Sequence, residues 1–145
     1  MNLEISYAQF GVRPPVIKPI PAFLIEVGEA RMRELISKHY DSIKKSEIFH
    51  IFSHDEKEFE QAKVHSADFF IQICGGPQYF NQNRGASQMI KRHAPFVIDA
   101  KARQVWLELY KPLILELKES GITEISLNSF WGYLNIFSIW MINTK

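Results

Sequence analysis

Apolar residues recur at helical spacing over most of the chain, and nowhere do they alternate as in a half-buried strand. Met32, Leu35, Ile36, Tyr40 and Ile43 trace one helix face, with Arg31, Arg33, Glu34 and Lys38 on the other side. Phe23, Leu24 and Val27 come just before Gly28, which marks a short break. Ile48, Phe49, Ile51 and Phe52 form a dense cluster suited to a tight helical turn. Ser53 or Asp55 then caps a helix with Phe59, Ala62, Ser66, Phe69, Phe70 and Ile73 on its inner face. Gly75-Gly76-Pro77 ends it, because glycine accepts left-handed angles and proline cannot continue the ladder.

From Gln78 to Ser87 the chain is polar and reads as a turn. Ser87 is expected to cap a short helix, Gln88 to His93, which Ala94-Pro95 closes because the residue before proline avoids helical angles. Asp99 caps a long helix with Ala102, Val105, Trp106, Leu109, Leu113 and Leu117 inward. Pro112 lies within that pattern and is expected to kink or loosen it, and Gly121 stops it. The last helix puts Leu127, Phe130, Trp131, Leu134, Phe137 and Met141 on one face. Tyr133, Ile136 and Trp140 thicken that face, which suits deep burial or a partner subunit, so the chain is expected as a monomer or homodimer. Ahead of all this, residues 1–21 form a proline-containing extension outside a helical domain of residues 22–145, because Pro14, Pro15, Pro19 and Pro21 exclude a helix there.

Composition narrows the function classes. The 145 residues suit one domain, and eleven phenylalanines suit the lining of a large cavity or a flat ligand. Seventeen basic and sixteen acidic residues nearly cancel, with no basic stripe, so nucleic acid is not an expected partner. Cys74 is the only cysteine and forms no internal disulfide, so nothing calls for an oxidising compartment. The opening MNLEISYAQF does not read as a signal peptide. Leu127 to Ile142 is interrupted by Asn128, Ser129, Asn135 and Ser138 and falls short of the ~20 apolar residues a bilayer span needs. The expectation is a soluble, cytoplasmic protein without a membrane partner.

Candidate chemistry rests on histidine. His50 and His54 have i, i+4 spacing but neither a glutamate base between them nor a third ligand, so a surface or capping role fits them. His39 and His65 read as partly exposed helix residues. His93 ends a short helix just before Ala94-Pro95, where it is rigidly held. Position alone favours a capping histidine. The aromatic inventory around it raises the alternative that its imidazole binds the iron of a porphyrin. No phosphate loop, serine elbow or activated cysteine competes with it.

Phe69-Phe70, Gly75-Gly76-Pro77, Arg84-Gly85, Arg92-His93-Ala94-Pro95-Phe96-Val97-Ile98, Arg103 and Trp106-Leu107 together resemble the truncated haemoglobins, most of all group II. The resemblance covers roughly residues 23–142 and implies an all-α, globin-like two-over-two helical sandwich with haem as cofactor. It implies His93 as the proximal iron ligand, Tyr40 as the distal tyrosine and Trp106 as a distal indole. Ala62 takes the distal gate position, Ser66 the distal position one turn on, and Phe69 and Phe70 line the pocket beyond. Phe52 packs on the porphyrin, Phe96 and Ile98 complete its surroundings, and Arg92 and Arg84 approach the propionates. Ser66 is a departure, because a bulky apolar residue or glutamine is more usual there.

The implied function is reversible binding of dioxygen, nitric oxide or another small gaseous ligand. Two rivals stand beside it. One is a haem enzyme that uses the same pocket for nitric oxide dioxygenation or peroxide chemistry, supplied with electrons by a reductase. The other is a haem-free helical interaction domain.

Overall fold

Gly28 divides the first apolar stretch into two helices, α1 (Pro21–Val27) and α2 (Glu29–Lys44), and its φ of 82° is an angle that suits glycine. The computed structural model describes residues 1–145, and all of its regular structure is helical. After a 3₁₀ turn at Phe49–Ile51 comes α3 (Glu56–Ile73), capped by Asp55, which accepts the Glu58 N–H at 2.9 Å. The end of α3 meets α1 so closely that a Cβ on Gly76 would sit 2.8 Å from a Leu24 methyl. Glycine is needed there for that close approach.

The polar stretch expected as a turn instead contains a helix, α4 (Tyr79–Arg84). Its buried side is a single residue, Phe80, which packs edge-on against Phe69, while the Gln72 side chain accepts the Asn81 N–H at 3.0 Å. The next helix, α5 (Met89–His93), starts one residue later than expected and without the Ser87 cap. Gln88 takes left-handed angles there, with φ 43°. Arg92 secures the loop instead, donating to the carbonyls of Ser87, Arg84 and Ala86 at 2.7, 2.8 and 3.1 Å.

Asp99 caps α6 (Ala100–Glu119) by accepting the Ala102 N–H at 2.8 Å. Pro112 sits on its exposed side, and the helix runs on past it. The fully buried row on α6 is Leu107, Tyr110 and Ile114, while Trp106, Leu109, Leu113 and Leu117 are half-buried. That face is turned from the expected one: Trp106 borders a cavity, and Leu113 and Leu117 border a surface cleft beside α2. Thr123 caps α7 (Glu124–Trp140).

The pair α2–α3 packs on the pair α6–α7, in the two-over-two arrangement expected from the sequence. The core between them is strongly aromatic. Phe23 of α1 stacks on Phe130 of α7 at 4.3 Å, and Phe70 of α3 stands edge-on to Phe130 and Tyr133. Such ring pairs contribute about 0.5–1.5 kcal/mol beyond their buried area.

Residues 1–20 hold no helix and lie across α7. The Glu4 and Pro14 carbonyls accept the indole N–H groups of Trp131 and Trp140 at 2.9 and 2.7 Å, and Ile20 N–H donates to Ser129 at 2.7 Å. The segment covers Trp131 and Trp140, while Phe130 and Tyr133 are buried against α1 and α3. No helix is long and apolar enough to cross a membrane.

Candidate functional site

A cavity of about 520 Å³ opens between α2, α3, the loop after α5, α6 and the end of α7. His93 reaches it from the end of α5. Its Nδ1 lies 2.7 Å from the Met89 carbonyl, and a carbonyl only accepts, so Nδ1 carries the proton. Nε2 is left with its lone pair. Burial favours the neutral ring and holds the imidazole pKa below its ordinary value, while the Met89 hydrogen bond opposes this.

The loop after His93 is clamped by Asn143, beyond the last helix. Its side-chain N–H₂ donates to the carbonyls of His93 and Phe96 at 3.2 and 2.8 Å, and its side-chain oxygen accepts the Ile98 N–H at 2.9 Å. Phe96 and Ile98 both line the cavity. A lone polar residue at this place carries no periodic signal in the sequence.

Tyr40, Phe52, Ala62, Arg84 and Trp106 also line the cavity. Tyr40 stands edge-on to Phe52 at 5.7 Å and to Phe59 at 5.5 Å. Burial pushes its phenol pKa up, and a hydrogen bond with Ser66 opposes this. Ser66 therefore meets the Tyr40 hydroxyl and does not itself line the cavity. Trp131 and Trp140 spend their indole N–H groups on backbone carbonyls, whereas Trp106 makes no such bond within the chain.

Besides Ser66, three expected residues lie outside the lining. Phe69 and Phe70 form the layer behind the wall, packed at 5.5 and 6.4 Å against Phe137, which does line the cavity. Arg92 is outside the lining, because its guanidinium is spent on three loop carbonyls and lies over the Phe80 ring at 5.1 Å.

Four further residues, His65, Arg103, His39 and Tyr110, stand in or beside the cavity wall without belonging to the expected set. His65 lines the cavity, and its Nδ1 is buried without a partner. Burial lowers its pKa first, then the charge of Arg84, with Asp68 opposing. Arg103 also lines the cavity, although it is only 4% exposed. It donates to Ser138 Oγ, the Ser6 carbonyl, and the Asn135 carbonyl and side chain at 2.7–3.0 Å. Burial lowers its pKa to about 10, which leaves it charged at neutral pH.

His39 corrects the expectation of partial exposure: it is fully buried and its ring stacks on Tyr110 at 3.5 Å. Its Nε2–H donates to the Trp106 carbonyl at 2.9 Å, and its Nδ1 is buried without a partner. An unmet polar atom of this kind costs about 1–3 kcal/mol. Burial drives the pKa down to about 3, the Trp106 hydrogen bond opposing, so the ring is neutral. Tyr110, beside it, is deeply buried, and burial and its neighbour Tyr40 raise its pKa. His50 and His54 instead bond the carbonyls of Glu47 and Phe49 at 2.8 and 3.2 Å, a capping role.

The donor set fits an iron porphyrin. The volume lies in the ~300–1,000 Å³ range of ligand cavities. Its walls are largely apolar, with imidazoles at His93, whose Nε2 lone pair is fixed by the Met89 bond, and at His65, and with cations at Arg84 and Arg103. Nowhere do three or more His, Cys, Asp or Glu side chains converge, as a bare ion would require, whereas a porphyrin brings four nitrogens of its own.

Comparison with known proteins agrees. The bacterial-like globin family model matches residues 26–143. Two-on-two hemoglobin-3 of Arabidopsis thaliana is 40% identical over 58 residues, which are 40% of this chain and only 32% of the plant protein's length. Phosphate-bound Hell's gate globin IV superposes with a TM-score of 0.83 at 34% identity, covering 97% of this chain and 87% of that one. The group II truncated hemoglobin of Bacillus anthracis has a TM-score of 0.74 at 21% identity, covering 90% and 95%, a likeness of fold. The chain belongs to the bacterial-like, two-on-two globin family, whose members bind haem.

Proposed function

We propose that His93 Nε2 ligates haem iron and that the protein reversibly binds dioxygen or another small diatomic ligand beside Tyr40 and Trp106. Haem held there supplies the iron that takes such a ligand. The observation that carries the reading is the fixed tautomer of His93: Nδ1–H is spent on Met89, and Nε2 is free in a cavity shared with two uncharged donors.

Each residue then has a separate task. His93 holds the cofactor from one side. Tyr40 O–H and Trp106 N–H, both donors, supply hydrogen bonds where a ligand gathers negative charge. Apolar walls strengthen those bonds by excluding water. Ala62 leaves the α3 side open to small molecules, and Arg84 favours the cofactor's carboxylates.

The visible spectrum of freshly purified protein is the first test, and a Soret band is expected. His93→Ala is expected to lose haem on gel filtration and to shift that band. Full retention with an unchanged spectrum removes His93 as the ligand. Mixing the oxygen-loaded protein with nitric oxide, then seeking turnover with a reductase, separates a binding protein from a dioxygenase.

A further inference from the structure

His39 has no task in the mechanism above, yet it is fully buried and leaves Nδ1 without a partner. Phenylalanine at this position would keep the ring stacked on Tyr110 and would remove the unmet nitrogen. Stacking alone therefore does not require histidine. What the histidine adds is one directed bond, Nε2–H to the Trp106 carbonyl at 2.9 Å.

Trp106 needs such support more than the other two tryptophans. Trp131 and Trp140 are oriented by their own N–H groups, bonded to Glu4 and Pro14. The Trp106 N–H is unspent within the chain, so its direction comes from ring contacts and from the backbone beneath it. The indole stands nearly perpendicular to a stacked pair, 5.2 Å and 87° from His39 and 5.0 Å and 78° from Tyr110. The His39 and Tyr110 rings are themselves 3.5 Å apart and within 16° of parallel.

We propose that His39 is a positioning residue for the Trp106 indole, fixing the α6 backbone at Trp106 through Nε2–H and bracing the ring with its own edge. It touches neither cofactor nor ligand and acts through Trp106. The inference rests on the reading of Trp106 as a donor in the cavity. It gives the group on α2 just before Tyr40 control over the other donor, so one helix sets both.

The test uses the full chain, with and without haem, as His39→Phe, His39→Gln, Trp106→Phe and the double variant His39→Phe/Trp106→Phe. Melting temperature, the indole N–H resonance of Trp106 and the oxygen dissociation rate are measured. His39→Phe is expected to melt no lower than the parent, while the Trp106 resonance shifts and broadens. Oxygen release should change by roughly three- to tenfold, the scale of one misplaced hydrogen bond. His39→Gln, which retains an N–H, should move the resonance back towards the parent. In the Trp106→Phe background, His39→Phe should change the rate no further.

A lowered melting temperature with the resonance and rate unchanged makes His39 a packing residue and overturns the proposal. So does an undiminished effect on the rate in the Trp106→Phe background. If Trp106→Phe leaves oxygen release untouched, the donor reading of Trp106 falls, and the indole resonance of the His39 variants alone decides the positioning role.

Discussion

A tyrosine hydroxyl inside an apolar cavity helps only if it is aimed, and Tyr40 is aimed from two directions. The Phe52 and Phe59 rings fix its plane, and Ser66 meets its hydroxyl. The serine that departs from the family pattern thus serves Tyr40 and does not itself face the cavity. Tyr40→Phe keeps the ring and removes the donor. Oxygen release from the haem-loaded protein should then speed by about tenfold or more, as the loss of about 1.5–3 kcal/mol of charge-assisted bonding implies. Stopped-flow displacement of oxygen measures it, and an unchanged rate would falsify the assignment of Tyr40. The neighbouring residue shows where residue type misled. Met32, Leu35, Ile36, His39 and Ile43 are the buried row of α2, and their spacing is a more regular helical stripe than one passing through Tyr40. The period was visible in the sequence, but a histidine in the stripe was read as polar and placed outside it.

Element by element, the long helices were legible and the short ones were not. The four helices of the sandwich each combine an apolar face of several turns with a cap or a glycine at one or both ends, and the pattern reads directly from such stretches. The helix α4 buries only Phe80, and one residue per element leaves no period to detect. The helix α5 starts on a left-handed Gln88, a geometry glycine normally signals and glutamine does not. The spacing from the glycine break to His93 and on to Trp106 follows the family pattern, but Asn143 holds the His93 loop by tertiary bonds that no local pattern encodes. Its side chain makes three hydrogen bonds to that loop. Asn143→Ala should let the loop loosen without unfolding the sandwich, since the freed backbone groups lie near solvent. Haem transfer to an excess of a competing haem acceptor should quicken by roughly tenfold, the equivalent of about 1.4 kcal/mol. Equal transfer rates in parent and variant would mean that the loop holds its shape without the asparagine.

At the scale of the whole molecule, one side chain joins three parts that the sequence presents separately. Arg103 springs from α6, bonds Asn135 and Ser138 of α7, and takes the Ser6 carbonyl from the N-terminal segment, while its flank borders the cavity. It makes no ion pair with a carboxylate, so its charge is balanced by oriented oxygens. Burying an unpaired cation is costly, and only a full set of hydrogen bonds makes it tolerable. A guanidinium offers five N–H groups in a planar fork and spends four hydrogen bonds here. Lysine would keep the charge but present a single ammonium, unable to reach α7 and the Ser6 carbonyl in the same geometry. Arg103→Lys is therefore expected to lower stability by about 2–4 kcal/mol, net of the charge retained. The loss should not be spread evenly. With the Ser6 carbonyl released, the segment before α1 loses one tie and keeps those through Asn135, Trp131, Trp140, Ser129 and the Met1–Glu124 ion pair, so proteolysis should cleave within residues 1–12 before the helices. Limited proteolysis followed by mass measurement, beside a melting curve, separates the two effects. A lower melting temperature with the first cleavage still inside the helices would show that Arg103 braces α6 against α7 and leaves the N-terminal segment to its tryptophan contacts.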